Sequence, residues 1–279
     1  MNLRRKIRQI IAASNRREIR IVPVPHLTDN AGLLKGRTAL ITGAAGGIGR
    51  AIAKAFVSAG AEVILAGRTE RDLSDLAIEI GDAASILLLD LSRPETFLAA
   101  LSGIADYPDI LVNSGGVLSE TPFGDITIAE YERVMDTNVK GMLFLSQEVS
   151  NRWKQVGIKG NILNISSGSQ YKPGWTVYQV SKNAVDALTR GMASFLIDHG
   201  VVVNAIAPGP VATTMLGIDS ADLSFPYNPT KRVVTPEEVA QWCLYLVSDL
   251  GRYAVGSTFA LTGGNAFFQW ERQTKFRPK

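Results

Sequence analysis

Thiols and imidazoles are nearly absent from this chain. One cysteine, Cys243, and two histidines, His26 and His199, occur in 279 residues. A single cysteine excludes an intrachain disulfide and leaves no thiolate cluster for a metal. Two scattered histidines supply neither a metal site nor a Ser-His-Asp hydrolase. No apolar run approaches the ~20 residues of a membrane-spanning helix. The N-terminus is basic but lacks the continuous apolar stretch of a signal peptide. These absences lead us to expect a cytoplasmic chain with no metal and no transmembrane segment. Cys243 lies in the apolar run Val239-Ala240-Gln241-Trp242-Cys243-Leu244, where a packed core thiol is expected.

Acidic charge is scarce at both ends. Residues 1–20 hold seven Lys/Arg and one acid, and residues 271–279 hold four and one, leaving 18 Lys/Arg against 24 Asp/Glu for the rest. The body is therefore mildly acidic, and the pI of about 9.0 gives no reason to expect a nucleic-acid partner. Residues 1–33 read as a separate arm. Leu3, Ile7, Ile10 and Ile11 fall at helical spacing among Arg4, Arg5, Lys6 and Arg8, and Pro23 and Pro25 then impose an extended linker. Such an arm suits a membrane surface, a neighbouring subunit or a loosely ordered extension. Residues 34–266 form the expected domain, and 267–279 an aromatic and basic tail.

At 46% hydrophobic residues the domain can bury one sizeable core. Apolar runs near 38–42, 62–66, 85–89, 109–113, 160–166, 201–206 and 257–261 alternate with helical patterns, including long ones at 127–152 and 176–198. That alternation predicts an α/β fold: a single doubly wound Rossmann domain with about seven parallel strands and helices on both faces. Ligands of such sheets bind at the carboxyl ends of the strands, where Gly43, Arg68, Asn113, Ser167 and Pro208 all fall.

Two motifs carry chemistry. Thr42-Gly43-Ala44-Ala45-Gly46-Gly47-Ile48-Gly49 follows an apolar run and opens a helical pattern. Glycines at such a turn let a phosphate approach backbone N–H groups at a helix N-terminus. The spacing is Gly-x-x-x-Gly-x-Gly, not the common Gly-x-Gly-x-x-Gly. Downstream, Tyr178 and Lys182 stand four apart, on one helix face. A neighbouring ammonium favours phenolate and lowers the tyrosine pKa toward neutrality. Around them stand Asn113-Ser114-Gly115-Gly116, Thr137-Asn138-Val139-Lys140-Gly141, Asn164-Ile165-Ser166-Ser167 and Pro208-Gly209-Pro210-Val211-Ala212-Thr213.

With these motifs in this order, the chain from about Leu34 to Gly264 resembles the short-chain dehydrogenase/reductase superfamily, most of all its 3-oxoacyl-carrier-protein reductase branch. The resemblance implies an enzyme that moves a hydride between nicotinamide and a carbonyl or secondary alcohol. It implies Tyr178 as proton donor and base, Lys182 as the group that lowers its pKa and binds the nicotinamide ribose, and Asn138 as holder of a water linked to Lys182. A serine would donate to the substrate oxygen. Ser166 and Ser167 both stand at the strand end, and the second of the pair, Ser167, matches the family position. Ser167 precedes Tyr178 by eleven residues where thirteen is common, so the segment between them is shortened. The cofactor contacts implied are Gly43, Gly47, Ile48, Gly49, Arg68, Asp90, Leu91, Asn113, Tyr178, Lys182, Pro208, Gly209, Val211 and Thr213.

The second strand ends in Gly67-Arg68, where enzymes that prefer NAD carry an acid. A guanidinium suits the extra phosphate of NADP. NADP(H) is therefore the favoured cofactor and NAD(H) the alternative, the latter helped by Gly46 standing where many NADP-binding relatives carry a base. The segment from Thr213 to Arg232, with Met215, Leu216, Ile218, Leu223, Phe225, Pro226 and Tyr227, is expected to cover a small-molecule substrate. Lys231 and Arg232 could hold an acidic group on it. Three readings follow: an NADPH-dependent ketone reductase, an NAD-linked dehydrogenase of a sugar or cyclic alcohol, and a dinucleotide-binding subunit without turnover. The resemblance also implies a homotetramer or homodimer, with Trp242, Tyr245, Phe267, Phe268 and Trp270 as aromatic surface for it.

Overall fold

The computed structural model describes residues 30, 32–213, 217, 223–225 and 228–266. The arm up to residue 29 and the tail 267–279, with Phe267, Phe268 and Trp270, lie outside the described residues. So do Met215, Leu216, Ile218, Pro226 and Tyr227 of the expected covering segment.

Seven strands form one sheet: β1 Thr38–Thr42, β2 Glu62–Gly67, β3 Ala84–Leu88, β4 Ile110–Asn113, β5 Asn161–Ile165, β6 Val202–Pro208 and β7 Thr258–Leu261. Every neighbouring pair is parallel, in the order β3-β2-β1-β4-β5-β6-β7. β4, β5 and β6 are buried along their whole length, as strands covered on both faces must be. The helices are α1 Gly47–Ser58, α2 Glu70–Ile80, α3 Phe97–Ser102, α4 Ile128–Met135, α5 Met142–Val156, α6 Val177–Leu196 and α7 Pro236–Val247.

Adjacent residues of a strand point to opposite faces, and the core divides accordingly. Ile41 packs with Ile52 and Phe56 of α1 and with Val239 and Leu244 of α7. Its neighbour Leu40 packs with Leu145, Val149 and Trp153 of α5 on the other side. Cys243 sits fully buried in the first layer, and burial pushes its thiol well above the ordinary range. Connections run outward in both directions from β1 and β4, so a crevice opens between their carboxyl ends.

Both helices that flank this crevice from the far side start with reciprocal caps. Thr176 and Gln179 close the start of α6, and Thr235 and Glu238 that of α7, with Pro236 at its first turn. The long helix expected over 127–152 is interrupted. α4 passes into a π-helical turn at Asp136–Gly141 before α5 resumes. Such a turn holds one residue more than an α-turn and re-aims the side chains within it.

Asn113, expected to touch a dinucleotide, stands at the end of β4 with its side chain turned into the protein. Its amide nitrogen donates to Asn164 Oδ1 at 2.8 Å and to Ser146 Oγ at 2.9 Å. Asn164 in turn donates to Thr189 Oγ1 at 2.9 Å, and Thr189 to Val185 O at 2.8 Å. This buried polar chain ties β4 and β5 to α5 and α6, and only the Asn113 Oδ1 in it is left without a partner.

Candidate active site

The glycine turn is built by contact. Gly43 has φ +62°, a left-handed conformation, and a Cβ there would lie 2.7 Å from Gly115 Cα. A Cβ on Gly47 would lie 2.6 Å from Thr213 Cγ2. The turn from β1 therefore meets the β4 loop on one side and the segment after β6 on the other. Thr42 holds the first meeting together: its Oγ1 accepts from the N–H groups of Ser114 and Gly115 at 3.1 and 3.0 Å. Thr42 was missed as a site residue, although the Thr-Gly step of the motif marks it. Gly46 caps α1 and has no side chain to satisfy its first N–H groups, which are left for an anion. The donor set and the bare backbone fit a dinucleotide phosphate.

Beside this turn lies a small cavity of about 130 Å³, lined by Gly43, Gly67, Arg68, Asp90, Leu91 and Thr137 among others. It gathers the residues expected near the adenosine end. Asp90 is held by the N–H and hydroxyl of Ser92, both on Oδ1. Its carboxyl stays below its ordinary value: burial opposes this, and the Ser92 bonds and the Arg68 charge outweigh it. Arg68 is exposed at the end of β2 and has no ion-pair partner among the described residues. A Cβ on Gly67 would make only ordinary contact, with Leu73 Cδ2 at 3.4 Å.

On the other side of the turn a cavity of about 440 Å³ is lined by Ile48, Ser166, Ser167, Tyr178, Pro208, Gly209, Val211 and Thr213. Its further walls are the β4–α4 loop at Leu118, Ser119 and Glu120, and Lys172 and Asn265. The loop is pinned by Glu130, which accepts from Ser119 and Thr121.

The two serines separate cleanly. Ser166 is buried, donating to Gln170 Oε1 at 2.6 Å and to Lys182 O at 3.2 Å. Ser167 stands on the cavity wall with Tyr178, close enough that its hydroxyl lowers the phenol's pKa. It also accepts from Ser169 N at 3.1 Å, at the start of a 3₁₀ turn over Gly168–Tyr171. That turn accommodates the shortened spacing between Ser167 and Tyr178.

Lys182 is buried, its Nζ donating to Ile165 O at 2.8 Å and lying 5.6 Å from the Tyr178 ring centroid. Burial lowers its pKa to about 8. Tyr178 departs from expectation. Its phenol stands above the ordinary value, because burial outweighs the lowering influence of the nearby Ser167 hydroxyl. The ammonium is directed to a backbone carbonyl and does not reverse that balance. Asn138, on the π turn, accepts from Val117 N at 2.8 Å and donates to Val117 O at 2.9 Å and to Ser181 Oγ at 3.1 Å. Its side chain thus clasps the backbone of the β4 loop beside the Tyr178 helix.

Arg232, expected with Lys231 to hold an acidic substrate group, faces elsewhere. Arg232 forms a two-pronged ion pair with Glu238, at 2.7 and 2.6 Å, which holds that carboxyl at about 2. Its guanidinium is committed to the α7 cap. Lys231 takes the left-handed conformation, with φ 62°, in the turn before it.

A dinucleotide cradle on one side of the crevice and a hydroxyl–phenol–ammonium set on the other define a Rossmann-fold oxidoreductase. The family profile described as Enoyl-(Acyl carrier protein) reductase matches residues 43–266. The chain belongs to the short-chain dehydrogenase/reductase family, whose members act on CH–OH and C=O groups. It is 32% identical over 248 residues to a 3-oxoacyl-[acyl-carrier-protein] reductase of Aquifex aeolicus, covering 83% of this chain and 98% of that one. It is 35% identical over 251 residues to a sorbitol dehydrogenase of Cereibacter sphaeroides, with the same coverage. Among solved structures, a 3-ketoacyl-(acyl-carrier-protein) reductase from Brucella melitensis complexed with NADH superposes with a TM-score of 0.75 at 28% identity, covering 84% of this chain and all of that one. No helix of the described residues is long and apolar enough to cross a membrane.

The Lys182 shift fixes a pH dependence. Burial disfavours the ammonium, so the lysine loses its proton near pH 8 rather than near its ordinary 10.5. The kcat/KM for carbonyl reduction should therefore fall as pH rises through about 8. A profile that stays flat well beyond that pH removes Lys182 ionisation from the rate.

Proposed function

We propose that residues 34–266 form an NADPH-dependent ketone reductase with Ser167, Tyr178, Lys182 and Asn138 as its working residues. The observation that carries this reading is that Ser167 and Tyr178 share the wall of one cavity with Ile48, Pro208, Gly209, Val211 and Thr213. Bound NADPH supplies the hydride. The substrate oxygen is received by two O–H groups, from Ser167 and Tyr178, where negative charge develops as the carbonyl is reduced. Tyr178, protonated at neutral pH, gives its proton to that oxygen. Lys182 keeps a positive charge beneath the ring, and Asn138 holds the loop that borders the site. Gly43, Gly47 and Gly49 admit the phosphates to the start of α1, and Arg68, Asp90 and Leu91 border the adenosine end. The same residues run the reverse reaction on a secondary alcohol. The polyol-oxidising relative keeps an NAD-linked sugar or cyclic-alcohol dehydrogenase as the second reading.

The proposed cytoplasmic enzyme acts as a homodimer or homotetramer. α5 and α6 expose Phe144 and Phe195, the latter 68% exposed, and α7 exposes Trp242 and Tyr245. That is more aromatic surface than a monomer of this size favours. Sedimentation at micromolar concentration should give two or four copies, and a monomer refutes the association.

Tyr178→Phe keeps the ring and removes the transferable proton, so turnover should fall ~10²–10⁴-fold while dinucleotide binding changes little. Turnover at the wild-type rate would take Tyr178 out of the mechanism. Cofactor choice has its own test. Gly67→Asp with Arg68→Ala removes a phosphate partner and adds a repelling charge, and the space beside Gly67 accepts the new side chain. Preference should move toward NADH; tighter binding of NADH than NADPH by the wild type would overturn the assignment.

A further inference from the structure

Lys172 has no place in the chemistry above, yet it stands on the wall of the cavity that holds Ser167 and Tyr178. It lies five residues after the serine and six before the tyrosine, in the shortened segment. Its backbone is fixed at the end of the 3₁₀ turn, with Lys172 N donating to Ser169 O at 3.1 Å, and Pro173 follows. Its Nζ donates to Asn265 Oδ1 at 2.9 Å. Asn265 is itself buried and anchored, its N–H donating to Thr262 O at 3.0 Å. An amide that accepts through its oxygen still has two N–H groups to give.

A lysine at a cleft wall is ordinarily a solvated charge. Three features set this one apart. It is held to a buried partner on a separate segment, after β7. No carboxylate among the described residues pairs with it. Its side chain is exposed at the cavity mouth, yet desolvation lowers its pKa, and Glu120 on the same wall forms no ion pair with it. Among the described residues Lys172 is also the one Lys or Arg that lines this cavity, while the Arg232 guanidinium is spent on Glu238.

We propose that Lys172, with Asn265, binds a carboxylate carried by the substrate, so that the site takes oxo acids or hydroxy acids in preference to neutral ketones and alcohols. One ammonium and one neutral amide match a single negative charge. A doubly charged phosphate would meet only that one cation, with the Glu120 carboxylate on the same cavity wall. The ammonium donates to one carboxylate oxygen and the Asn265 amide to the other, which orients the chain of the substrate along the wall toward the Ser167 and Tyr178 hydroxyls. The assignment rests on the proposed reduction at those two residues and names its substrate class.

The test compares acids with their own esters. Acetoacetate and levulinate, and the methyl ester of each, are assayed with NADPH and NADH on the full chain, on Lys172→Met and on Lys172→Arg. For the wild type, at least one acid should exceed its ester in kcat/KM by about ten- to a hundredfold, the worth of a hydrogen bond between charged groups. Lys172→Met should bring that ratio close to one, mainly by raising KM for the acid, and Lys172→Arg should retain part of it. Esters that match or exceed both acids in the wild type overturn the proposal, as does a ratio that survives in Lys172→Met. Should none of the compounds turn over, the ketone-reductase reading fails by itself. Calorimetric titration of the same acids and esters into the NADPH-saturated protein then judges Lys172 separately. Acid binding that Lys172→Met abolishes supports the carboxylate site, and equal or absent binding of acid and ester overturns it.

Discussion

The site depends on a reciprocal clasp between the end of β5 and the first turns of α6. Lys182 sends its ammonium to Ile165 O, and Ser166 sends its hydroxyl back to Lys182 O. Each bond satisfies a group that burial would otherwise leave costly. Together they fix how far α6 stands from the strand end, and so where Tyr178 stands relative to Ser167. Ser166 earns its place beside Ser167 for this reason. One serine holds the frame, and its neighbour, pointing the other way, faces the cavity. The same layer is secured deeper in the sheet by the Asn113–Asn164–Thr189 chain, which links β4, β5 and α6.

What sequence could reveal was set by how local the signal was. The seven strands are read from apolar runs, and all seven appear within a residue or two of the expected places. The glycine turn is legible as a motif, although the contacts at Gly43 and Gly47 come from the distant Gly115 and Thr213. Directions of side chains are less so. Asn113 is read from its motif as a cofactor contact, and the motif gives no sign that its side-chain amide turns inward to Ser146 and Asn164. Arg232 looks free until Glu238, six residues on, comes back at the start of α7 to take it. The phenol of Tyr178 has a cation at the expected helical spacing, yet its pKa direction is decided by desolvation, a property of the assembled cavity. The π turn at Asn138 left no mark in the hydrophobic periodicity on either side of it.

The shortened segment after Ser167 shows how a small change of length is absorbed. A 3₁₀ turn rises about 2.0 Å per residue against about 1.5 Å for an α turn, so fewer residues span the same gap. The result is an ordered link in which Lys172 is delivered to the cavity wall and Thr176 still caps α6. Tyr178 and Lys182 ride on a long helix, and Lys172 rides on the turn leading into it.

The solitary Cys243, sealed between α1, α7 and the sheet, gives the molecule a built-in clock. A thiol that burial keeps both protonated and out of contact with solvent reacts with an alkylating reagent only when α7 lifts away. With no other thiol in the chain, each modification event records one opening of that layer. The rate of labelling therefore reports how often the helix behind the cofactor side of the sheet detaches, without any label having been introduced into the protein.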